Sequence, residues 1–212
     1  MPKSREKLAG IAQRHWLGEG ERLAWVAGGR GHVGSTVGAV RTAPHRVVHD
    51  VPSPAAPEPA WPLPTRAVSE NRVHNDEWAH DPAIWGWAHA QHPDQAAVRC
   101  ADLFTAGRDE CWLLVTDRRV GLVVEGEVAV APEPAAGGLL GRVRALGQSR
   151  DVPPLVTWWE APRSVVRAFT PVPLGRHVRP EWFLRLEFAD GSAFDLRDEQ
   201  AEQTVRTIHA NL

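Results

Sequence analysis

The chain has 212 residues, 43% of them hydrophobic, and 24 Lys and Arg against 26 Asp and Glu give a formal charge of -2. This length suits one domain with elaborations, and the near-neutral balance gives no global electrostatic case for nucleic acid, which usually needs a clearly basic domain or stripe. Ten tryptophans and no tyrosine imply that indole rings anchor the core or an interface, because a side chain of that size is costly to leave in water.

The first residues, MPKSREKLAGIAQRHW, lack the apolar run of a secretory signal, and no later window reaches the ~18 apolar residues of a membrane span. The expectation is a soluble, cytoplasmic protein. Ser4 caps a helix in which Leu8, Ile11, Ala12 and Trp16 follow helical spacing. Gly18 and Gly20 end it, and Glu21 to Ala27 reads as a strand. Gly29-Arg30-Gly31-His32-Val33-Gly34 then satisfies G-x-G-x-x-G, and Asp50 stands where a ribose-binding acid would follow. In a dinucleotide site such glycines admit a pyrophosphate, and a helix N-terminus stabilises its charge. Pro44 shortens any crossover helix here, and a proline-rich linker over 51–67 follows in place of helix–strand alternation. The favoured alternative is close packing of Gly31, Gly34 and Gly38 on another element. Trp61, inside the linker, can serve as a docking anchor.

Residues 71–92, NRVHNDEWAHDPAIWGWAHAQH, gather His74, Asp76, Glu77, His80, Asp81, His89 and His92. A metal site needs three or four such groups converging on one point. The spacing fits neither H-E-x-x-H nor a facial triad, although His89 and His92 could share a helix face. The alternative is an irregular segment and short helix that bury Trp78, Ile84, Trp85 and Trp87 and leave the histidines in water. Ala96 to Phe104 reads as a helix. Cys100 and Cys111 stand outside any C-x-x-C pair, which suits a reducing compartment and argues against a disulfide framework or metal clip.

Cys111 to Thr116 and Val120 to Val124 form the strongest hairpin signal, and Arg118 and Arg119 in its tight turn read as solvated. Val128 to Ala131 is a candidate third strand. The excursion over 132–154 holds Leu139, Leu140, Arg142, Arg144 and Arg150. On a short helix these would make an amphipathic basic face suited to an anionic membrane surface or a partner. Leu155 to Glu160 and Arg163 to Thr170 are strands separated by the Ala161-Pro162 break. Trp182, Leu184, Leu186 and Phe188 then alternate with Phe183, Arg185 and Glu187. A two-residue Asp190-Gly191 loop would set Phe194 opposite Glu187. A three-residue Ala189-Asp190-Gly191 loop with Gly191 left-handed pairs Leu186 with Phe194, Leu184 with Leu196, and Arg185 with Asp195 on a wet face. Consistency of burial selects the three-residue loop. Asp198 caps a final helix whose Ala201, Val205, Ile208 and Leu212 form one stripe.

The stretches LLVTDRRVGLVV (113–124), WWEAPRSVV (158–166) and LRLEFADGSAFDL (184–196), with the terminal helix, resemble bacterial pleckstrin-homology-like (PH-like) domains. The likeness covers roughly 98–212 and implies an α+β fold. Its body would be a strongly bent antiparallel sheet or partly open barrel capped by a helix over 198–212, with 1–97 as a helix-containing extension. The resemblance implies a non-enzymatic scaffold whose loops bind proteins, peptides or lipid headgroups; the leading expectation is an interaction module with a protein partner, with anionic membrane-surface contact through Leu139, Leu140, Arg142, Arg144 and Arg150 as an accessory reading of the residues, and no cofactor is expected. Two rival readings are a nucleotide-dependent enzyme using Gly29 to Gly34 with Asp50, and a metal-dependent hydrolase using the His74 to His92 cluster.

Overall fold

The computed structural model describes residues 4–52, 58–129, 152–176 and 178–212. In chain order its elements are α1 (Arg5–His15), β1 (Leu23–Gly28), β2 (His32–Val37), β3 (Val40–Thr42), the single turn α2 (Arg66–Ser69), β4 (Ile84–Ala90) and α3 (Ala96–Gly107). There follow β5 (Cys111–Thr116), β6 (Arg119–Glu125), the single turn α4 (Gly126–Ala129), β7 (Leu155–Pro162), β8 (Val166–Leu174), β9 (Glu181–Phe188), β10 (Ala193–Arg197) and α5 (Ala201–Asn211).

The fold is α+β with a C-terminal helix, and its strands divide between two sheets instead of forming one bent sheet. The first has the order β1-β5-β6-β7 and is antiparallel throughout. The second has the order β3-β2-β4-β10-β9-β8 and is antiparallel except where β2 runs parallel to β4. The chain changes sheet at Pro162: among the described residues β7 pairs only with β6, a 3₁₀ turn over Arg163–Val165 reorients the backbone, and β8 pairs with β9. Residues before 98 are woven into both sheets, since β1 lies against β5 and β4 against β10. No helix among the described residues is long and apolar enough to cross a membrane.

Three apolar layers hold these elements. The main core lies between the sheets, where Leu113, Leu122, Leu184, Leu186, Phe194 and Ile208 meet with almost no exposure. Helix α3 closes this core against β2, β4 and β10, while α5 packs on β1 and on β8 and β9. On the outer face of the four-stranded sheet, Leu8, Ala12 and Trp16 of α1 cover Val26, Trp112 and Leu114. This is the stripe expected from their spacing, and Ser4 caps the helix through the Lys7 amide. On the outer face of the six-stranded sheet, Val68, Trp78 and Ala79 cover Ile84, Trp87 and Phe183, with Trp78 stacked on Trp87 at 4.4 Å between centroids. Gly34 makes room there, because a Cβ at that position would lie 2.2 Å from the nearest atom of the Trp87 ring.

The closing hairpin has the expected register, with Leu186 opposite Phe194, Leu184 opposite Leu196 and Arg185 opposite Asp195, and with Gly191 left-handed at φ 83°. Its second face is not wet, however: the Asp195 side chain is fully buried under Arg185 and His89. Val128 and Ala129 belong to the helical turn α4 and not to a third strand. Glu125 is the last residue of β6 with a partner, Leu155, and Pro153 and Pro154 precede that partner. Proline has no N–H to extend the ladder, so β6 stops there.

Candidate functional site

A small cleft opens where β1 turns into β2. The turn residues Gly29 to Gly31 bring β2 alongside β4, and the C-terminal half of α3 packs across it. The cavity measures about 230 Å³, with apolar walls from Val33, Pro44, Pro59, Trp61 and Phe104. Trp61, half-buried in the proline-rich segment, meets the His32 ring edge-on at 5.6 Å. At the rim Arg108 donates to Glu58 at 2.7 Å. Two polar atoms in the lining residues, His32 Nε2 and Thr105 Oγ1, are buried without a hydrogen-bond partner. Burial lowers the His32 pKa, although hydrogen bonding to the Pro62 backbone and the charge of Asp81 pull the other way. The ring is therefore neutral near pH 7.

The glycine fingerprint contributes Gly31 to this cleft but lacks the setting a dinucleotide needs. After Gly31 the chain enters strand β2 rather than a helix, and β1 pairs antiparallel with β5, so among the described residues neither a βαβ unit nor a helix N-terminus follows the glycines. Gly29 instead donates its N–H to the Cys111 carbonyl at 3.1 Å, and Asp50 is exposed in a loop.

Beside the cleft lies a relay that no local motif announced. Ser35 Oγ is 2.7 Å from His45 Nδ1, and His45 Nε2 is 2.8 Å from Asp102 Oδ1. The other carboxylate oxygen of Asp102 meets His49 Nδ1, and the Val48 and His49 amides donate to the same group. Serine, histidine and aspartate in this order form the relay that activates a nucleophile in hydrolases. A nucleophile must touch its substrate, and Ser35 is only 3% exposed. The arrangement acts as a staple: Asp102 on α3 gathers four donors from 45–49, and His45 N–H closes the same loop on the Val33 carbonyl at 2.6 Å. Burial alone would raise the Asp102 pKa, and the hydrogen bonds from His45, Val48 and His49 outweigh it and hold it low. Ser35, His45 and Asp102 escape a motif search because 57 residues separate the last two.

The structure disperses the His74 to His92 cluster. Among the described residues no three His, Cys, Asp or Glu side chains are placed to hold one metal ion. Asp76 accepts from the Gly175 amide, and Asp81 from the Thr65 and Ala83 amides. His89 stands on strand β4 against Asp195, not on a helix with His92. Trp78, Ile84, Trp85 and Trp87 are buried as the alternative reading required, but largely by a strand. Leu139, Leu140, Arg142, Arg144 and Arg150 lie outside the described residues. No family model, no curated protein and no solved structure matches this chain.

Proposed function

We propose that the chain is a non-enzymatic interaction module with a PH-like β scaffold, and that it binds a protein partner by seating one of the partner's side chains in the cleft at Trp61. The observation that carries this reading is the size and chemistry of the cleft. Pockets for cofactors and drug-sized ligands usually occupy ~300–1,000 Å³, and 230 Å³ walled by aromatic and proline side chains suits one large side chain. Aromatic and proline walls around a buried anchor are also where binding energy concentrates in protein interfaces. Trp61 comes from an extended segment and Phe104 from a helix, so the partner would bridge two parts of the chain.

Selection of displayed random peptides on the full chain tests this. The expected result is an enriched family sharing one large anchor residue, whose affinity falls about thirtyfold in Trp61→Ala, a hot-spot loss of about 2 kcal/mol, while the thermal melt is unchanged. No enrichment, or peptides indifferent to Trp61→Ala, would overturn it.

A further inference from the structure

The segment that carries Trp61 has an outer side as well as the inner one that walls the cleft. Proline fixes its own φ at about −65° and holds the residue before it extended. With prolines at 59, 62 and 64, every residue of 58–64 except Ala60 is restricted in this way. The segment belongs to no helix or sheet, and among the described residues no backbone–backbone hydrogen bond involves it. Its inner contacts repeat every three residues, the period of a polyproline II helix. Glu58 accepts from Arg108 at 2.7 Å, Trp61 meets His32 edge-on at 5.6 Å, and Pro64 is buried. Thr65 then ties down the end by donating its N–H to Asp81 at 2.7 Å.

On the outer side Ala60 and Leu63, also three apart, are exposed together with Pro62. Leu63 is 78% exposed and belongs to none of the three apolar layers. Single exposed apolar residues are common, but this one stands between two prolines on a strand pinned from behind. Binding a loose chain costs the free energy of ordering it, and here the fold has already met that cost. Aromatic-lined grooves that recognise proline-rich strands exploit this kind of pre-order.

We infer that residues 58–64 are a presented ligand, and that Ala60, Pro62 and Leu63 dock into an aromatic-lined, proline-recognising groove on another protein. None of these three side chains lines the cleft, so the inference does not depend on what fills it.

Calorimetric titration of the full-length chain with a panel of purified WW and other proline-recognising domains tests this, beside a blocked peptide of residues 58–64. At least one domain is expected to bind the chain, and to bind the free peptide about tenfold more weakly because the peptide must still be ordered. Leu63→Ser should weaken binding to the chain about tenfold and leave the thermal melt unchanged, since the side chain packs in no layer. Pro62→Ala should weaken binding likewise. The inference is overturned if no domain binds at about 1 mM, if binding ignores Leu63→Ser, or if the peptide binds as tightly as the chain. Peptides selected for the cleft should bind Leu63→Ser as well as they bind the unaltered chain, so the two readings fail separately.

Discussion

The guanidinium of Arg119 lies 4.0 Å over the ring of Trp16, and its Nη2 donates to the Trp16 carbonyl at 2.7 Å. The same side chain reaches Glu21 at 3.0 Å and Glu160 at 2.7 Å. Thr116 Oγ1 donates to the same Glu21 carboxylate at 2.6 Å. One arginine thus joins the end of α1, the loop leading into β1, and both β6 and β7. Its neighbour Arg118 is exposed, as a turn residue should be.

Removing this clasp strands a buried carboxylate, since the Glu21 side chain is only 3% exposed. Arg119→Ala is expected to lower the unfolding free energy in urea by about 3 kcal/mol, the scale for breaking a buried pair from one side. Arg119→Lys should recover only part, because an ammonium cannot span the same acceptors as a planar fork. A loss below about 1 kcal/mol for the alanine variant would show that the contacts are ornamental.

Two buried carboxylates are expected to set the acid limit of the fold. Burial alone would raise the Asp195 pKa, but hydrogen bonds from Arg185 at 2.7 and 2.8 Å and from His89 at 2.9 Å outweigh it, so the folded value is depressed. Asp102 behaves alike. A depressed folded pKa contributes stability that is fully present above the unfolded value, about 3.9, and disappears as pH falls through the folded value. Stability measured against pH should therefore hold steady down to about pH 5 and fall steeply below about pH 4. Asp195→Asn should cost about 3 kcal/mol at neutral pH and flatten the acid slope. An unchanged slope in that variant would locate the acid sensitivity elsewhere.

Glycine positions separate backbone strain from crowding. Gly191 has φ 83° with no atom near the site of a Cβ, so Gly191→Ala should cost about 1 kcal/mol through the left-handed conformation alone. At Gly34 the Trp87 ring occupies that space, and Gly34→Ala should cost more, about 2–3 kcal/mol. Thermal denaturation of the two variants gives the order, and a reversed order contradicts this account.

Much of the scaffold was legible because it rests on local signals. The period-two alternation from Trp182 to Phe188 and the Asp190-Gly191 pair determine a hairpin and its register, since a one-residue slip would bury Glu187. The helical spacing of Leu8, Ala12 and Trp16 likewise determines which face of α1 is covered. The sequence offered Trp61 only as a candidate docking anchor, and the structure sets it half-buried against His32. What local periodicity could not express is which surface each element would meet.

Only the tertiary structure decided the rest. It assigned the strands to two sheets, because the break at Pro162 redirects β8 to β9 and long-range pairing places β1 beside β5. It turned Arg119 from a turn residue into a clasp, and Asp195 from a wet-face residue into a buried one. It assembled Asp102 with His45 and His49, and His32 with Trp61 and Thr105, from segments far apart in the chain. Sequence determines the chemistry available at each position. Burial and partnership arise only when distant segments meet, and they decide whether a carboxylate is a solvated charge or a staple.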